Sequence, residues 1–142
     1  MFPQANSAAE WLVLAASCEA AARLCEKDPA AAARAWNECG FAVECAVKAV
    51  IMRKEGLNAW PSRSQRPDLW HHDLRGLFAI AGIAISETDP VAPAVMTMWD
   101  WNRSHSYSFT PIPRAVIKGY IAAAFGDMGV VPWLKATYLP HV

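Results

Sequence analysis

The chain has 142 residues, 54% of them hydrophobic, with thirteen basic and thirteen acidic side chains. That length predicts one domain with a single core, spanning 1–142. Zero net charge excludes the broad basic face that draws a protein onto nucleic acid, so any phosphate contact has to be local.

Charged residues make up only 18% of the chain, and seven are tryptophan. Such a sequence carries more apolar surface than one small domain hides, which predicts a homodimer. No Lys or Arg precedes Glu10, so the positive region of a signal peptide is missing. The longest uncharged apolar run, 76–86, is far shorter than a membrane span. The expectation is a cytoplasmic protein with no membrane contact. Cys18, Cys25, Cys39 and Cys45 form no C-x-x-C pair and fall in helical patterns, as buried free thiols do.

Ser7-Ala8-Ala9-Glu10 is a capping box, opening a helix to about Glu26 with Trp11, Leu14, Cys18, Ala22 and Cys25 at helical spacing. Asp28-Pro29 then starts a second, long helix that runs to Glu55 and stops at Gly56. Its apolar stripe includes Trp36, Cys39, Val43, Val47 and Val50. Gly40 interrupts that helix at a cost of about 1 kcal/mol relative to Ala, and close approach of a second helix is the expected compensation.

Residues 57–70 read as a loop, with Arg63 and Arg66 in it and Lys54 just upstream. Asp73-Leu74-Arg75 opens a third helix, and Pro93 begins the regular part of a fourth, to about Asn102. A fifth covers 114–125, ending at Gly126 and Gly129, and 132–138 adds a turn or short helix. Twenty-seven alanines and no alternating pattern make the fold all-α. Short connections predict an up-and-down antiparallel bundle of four to five helices.

Three groups of residues carry candidate chemistry. Glu44 and Lys48 are spaced i, i+4 in the favourable order, as a solvated pair or as an inward-facing one. If they face inward they need partners, and Arg103, Asp100 or His72 are the candidates. In His71-His72-Asp73, either His72 or Asp73 can cap the third helix. As metal ligands the adjacent histidines lack a third and fourth partner, so no metal is assigned, and no motif calls for a cofactor.

The third group is Trp99-Asp100-Trp101-Asn102-Arg103-Ser104-His105-Ser106-Tyr107. Residues two apart on a helix point about 200° from each other, so one tryptophan enters the core and the other faces a ligand or subunit. Arg103, read as ending the fourth helix among aromatics, suits bidentate phosphate binding or a structural ion pair with Glu44 or Asp100. Metal-free RNA cleavage needs a proton acceptor and a cation on the phosphorane, and Arg103 with His105 is chemically suitable. The expected ligand groove takes Arg103, His105 and Tyr107, with Asn102, Glu44, Lys48 and His72 around it.

Taken together, the segments "ECGFAVECAVKAVIMRKEG", "HHDLRGLFAIAGI", "WNRSHSYSF" and "PIPRAVIKGYIAAAF" resemble the HEPN domain (higher eukaryotes and prokaryotes nucleotide-binding). They keep the family's order over roughly residues 7–125. The resemblance implies a bundle of four or five helices, dimeric through faces near the fourth. It also implies a metal-independent ribonuclease, often a toxin with an antitoxin partner, or a nucleotide-binding protein, or the partner of a minimal nucleotidyltransferase. Arg103 matches the family's arginine. The family's histidine follows after four to six residues, where this chain has Ser108-Phe109-Thr110. His105 is the nearest substitute. Arg66 and His71 have the right separation but precede the His-Asp-Leu helix. This departure favours binding of a nucleotide or RNA phosphate over cleavage, with a non-catalytic dimeric adaptor as the other alternative.

Overall fold

The computed structural model describes residues 3–107 and 109–142; Ser108, in the stretch after Arg103, lies outside them. Six α-helices are found among the described residues, and no strand: α1 Ala8–Glu26, α2 Ala32–Glu55, α3 Leu74–Ile80, α4 Ala92–Trp99, α5 Arg114–Phe125 and α6 Val130–Tyr138. The protein is all-α, and the turn or short helix expected at 132–138 is a helix, α6, that starts two residues earlier. The sixth exists because the chain turns sharply at 126–129. A Cβ at Gly126 would meet the Ala122 carbonyl oxygen at 2.7 Å, and one at Gly129 would meet Gly126 backbone at 2.8 Å. Residues 114–138 are together long and apolar enough to be a candidate span, with hydropathy 1.2. That turn divides them, and the 12 residues of α5 reach only about 18 Å, short of a bilayer's hydrocarbon core.

α1 and α2 form an antiparallel hairpin: Trp11 meets Lys48 near one end and the free thiols of Cys18 and Cys45 face each other in the middle. Ser7 Oγ accepts from the Glu10 amide at 3.1 Å, as a capping box requires. The returning bond goes to the Asn6 amide at 2.6 Å, one residue earlier than the motif specifies. Asp28 caps a 3-10 turn at Pro29–Ala31, so the regular part of α2 starts at Ala32 rather than Pro29. Gly56, at φ 63°, closes α2 in the left-handed conformation, where a Cβ is strained.

α2 is the central element. α1, α3, α5, α6 and a 3-10 turn at Arg103–Tyr107 all pack on it, and residues 42–52 are buried on every side. A helix surrounded in this way has no solvated face for charge, which decides the open question about Glu44 and Lys48. All four cysteines are free, with Cys18, Cys39 and Cys45 buried. Burial pushes the Cys39 thiol up to about 12, and a hydrogen bond with Cys45 raises Cys18 further still. At neutral pH these thiols behave as small hydrophobes.

α4 stops at Trp99, three residues earlier than the periodicity predicts. Trp101 turns into the core, 4% exposed, and its indole occupies the notch left by Gly40. The compensation for that glycine is therefore a single indole and not a second helix. Arg103 consequently does not end a helix: it opens the 3-10 turn that also holds His105 and Tyr107.

Candidate functional site

Glu44 is fully buried and Lys48 is 8% exposed. Lys48 Nζ donates to Glu44 Oε2 at 3.2 Å, and His72 Nδ1 lies 2.6 Å from Glu44 Oε1. A carboxylate only accepts, so Nδ1 carries the proton and fixes the tautomer of His72, whose side chain is 49% exposed. Asp73, not His72, caps α3, accepting from the Arg75 amide at 3.2 Å. His72 is thereby left to reach α2, where it is in direct contact with Glu44.

The Lys48 ammonium also lies 4.9 Å from the Trp11 ring centre and 5.3 Å from that of Trp60. Cation–π contact with two indoles and one carboxylate compensates for its removal from water. Above this group opens a cavity of about 860 Å³. Its cationic side chains are Lys48, Arg63 and Arg103, with His71 and His72 beside them. Trp11, Phe41, Trp60 and Trp70 supply aromatic wall, Glu10 and Glu44 the acids, and residues 3–5 one edge. The Arg103 guanidinium carbon is 5.9 Å from the Phe41 ring centre.

The structure thus gathers Glu44, Lys48, His72 and Arg103 at one cavity. It does not gather His105, Asn102 or Tyr107 with them. His105 packs its ring 4.8 Å from that of Trp36, which also faces Trp101 and Tyr120. Asn102 uses its side chain to accept from the Ser104 amide at 2.8 Å, shaping the 3-10 turn. Tyr107 is 87% exposed and does not line the cavity. The shared groove expected for Arg103, His105 and Tyr107 is therefore not formed, because a 3-10 turn with His105 against Trp36 replaces the expected helix end. Trp99 is not at the cavity either. It packs edge-on to Phe78 at 6.0 Å, with Arg75 over its ring at 5.0 Å.

Arg63 and the four aromatic walls escaped the sequence reading. Of the basic residues around the loop, Arg66 is taken by Glu55 and Asp68, and Lys54 by the Ala81 carbonyl at 2.7 Å. The Arg66 guanidinium bond holds the Asp68 carboxyl below its ordinary range. Only Arg63 of the three reaches the cavity. Comparison with protein-family models, with curated proteins and with solved structures finds no match to this chain.

Proposed function

We propose that the protein is a HEPN-like helical domain that binds a nucleotide or an RNA phosphate in this cavity. The observation that carries the reading is convergence. Lys48, Arg63, His72 and Arg103 come from three separate parts of the chain to one opening with indole walls. Cations supply charge-assisted bonds to phosphate oxygens, and aromatic rings supply faces for a base. The Glu44–His72 contact also joins two of the segments that carry the HEPN resemblance.

Arg103→Ala is expected to weaken binding of a nucleoside monophosphate or a short single-stranded RNA by about 1.5–3 kcal/mol. The side chain is exposed, so the circular dichroism spectrum should not change. Titration calorimetry at low salt measures the loss; equal affinity in the variant, or no heat with any phosphate ligand, defeats the reading. The same samples incubated with single-stranded RNA in EDTA separate a binding protein from a metal-independent ribonuclease.

The reading includes a homodimer. Val13, Leu24, Met96 and Phe109 all stand exposed, the last at 98%, which is surface that a second copy can cover. Sedimentation is expected to give twice the chain mass at tens of micromolar. A monomer under those conditions removes the dimer from the proposal.

A further inference from the structure

We propose that Trp70 is the platform on which a nucleobase stacks, so that the cavity takes base and phosphate together rather than a bare phosphate or polyphosphate. This rests on the reading of the cavity as a phosphate site and adds the chemistry of its other half. The aromatic walls are not equivalent. Trp11 and Trp60 meet each other edge-on at 5.3 Å, and both carry the Lys48 ammonium. The Phe41 ring carries Arg103. Trp70 is 41% exposed, and among the described residues no ring or cation lies over it.

Trp70 is also fixed in place. Its Nε1 donates to the Pro61 carbonyl at 3.0 Å, and its neighbour Leu69 is completely buried, anchoring the backbone. The loop around it is tied at several points. Arg66 grips Asp68 through Nε at 3.0 Å and Nη2 at 2.9 Å, and reaches Glu55 at 2.8 Å. The Trp60 amide donates to Asn6 Oδ1 at 2.7 Å, joining the loop to the segment before α1.

Freezing a large side chain costs rotamer entropy, and leaving it wet forgoes burial. A ring held by a hydrogen bond and left 41% exposed in a cavity wall is preorganised for a flat apolar partner. Arg63 and His71, on the same loop as Trp70, line the same cavity and give that partner an anionic end to match. A nucleobase carrying a phosphate has both features, and stacking tolerates any base because each has a π-face.

The test is calorimetry of the intact chain with adenosine 5′-monophosphate, ribose 5-phosphate and a 5′-phosphorylated oligoriboadenylate. Wild type is expected to bind the adenine ligands more tightly than ribose 5-phosphate. Trp70→Ala is expected to lose about 5- to 150-fold in affinity for the adenine ligands and nothing for ribose 5-phosphate. Trp70→Phe keeps a ring face and should fall between, which guards against a misfolded alanine variant. Preference between monophosphate and oligomer tells whether the nucleotide is free or part of RNA. Ribose 5-phosphate binding as tightly as the monophosphate, or Trp70→Ala leaving adenine affinity unchanged, overturns the stacking proposal while the phosphate site stands. No binding by any of the three ligands overturns both.

Discussion

Glu44→Ala is expected to be the most damaging single change on α2, costing about 3–5 kcal/mol of stability. The carboxylate is fully buried and neutralises the ammonium of a lysine that is itself only 8% exposed. Removing it leaves Lys48 with two indole faces and no counter-charge, and leaves the His72 Nδ1 proton without an acceptor. Losing one member of a buried pair is costly because the survivor stays desolvated, whereas replacing both is mild. The double change Glu44→Gln with Lys48→Met should therefore recover most of the loss. Urea unfolding of Glu44→Ala and of the double measures this, with a melting temperature for Glu44→Ala lower by about 10 °C or more. A loss under about 1 kcal/mol would mean that Lys48 escapes to solvent, contrary to its enclosure.

The second large effect has the opposite sign from the usual rule. Gly→Ala inside a helix normally stabilises by about 1 kcal/mol. At Gly40 the added methyl would land inside the Trp101 indole. Trp101 has no free space to retreat into, being packed at 5.9 Å against Trp36. Gly40→Ala is expected to destabilise by about 1–3 kcal/mol, the range for an overpacked core. Because Trp101 anchors the chain two residues before Arg103, the same substitution should also weaken phosphate binding, although residue 40 does not line the cavity. Chemical denaturation and calorimetry on one preparation check both halves. A stabilised Gly40→Ala would show that the indole is not held in the notch.

Helix ends were legible wherever a local device sets them. Ser7, Gly56 and Asp73 each act within a few residues, through a side-chain bond or a left-handed backbone, and each stands where its spacing places it. The inward turn of Glu44 and Lys48 was legible as an alternative, because an apolar run surrounds them. What local pattern could not convey is contact across sequence distance. Trp101 ends α4 early by fitting a gap 61 residues upstream, overriding the helical period. His105 has the right chemistry for a proton acceptor, yet Trp36 claims its ring. Arg63, Trp60 and Trp70 sit in a segment with no periodicity, where nothing nearby reveals which side chains converge. Two tryptophans in a loop that also carries Arg63, Arg66 and Asp68 were the available clue.

The distribution of indoles has an optical consequence. Three of the seven, Trp11, Trp60 and Trp70, border the cavity, and two of them touch the Lys48 ammonium. A molecule settling there changes the polarity around nearly half of the chain's main fluorophores and moves charge next to their rings. Trp36 and Trp101 lie in a separate cluster with His105, whose ring stacks against Trp36. The unlabelled protein therefore carries two spectroscopic reporters, one for the filling of the cavity and one for the seating of the 103–107 turn.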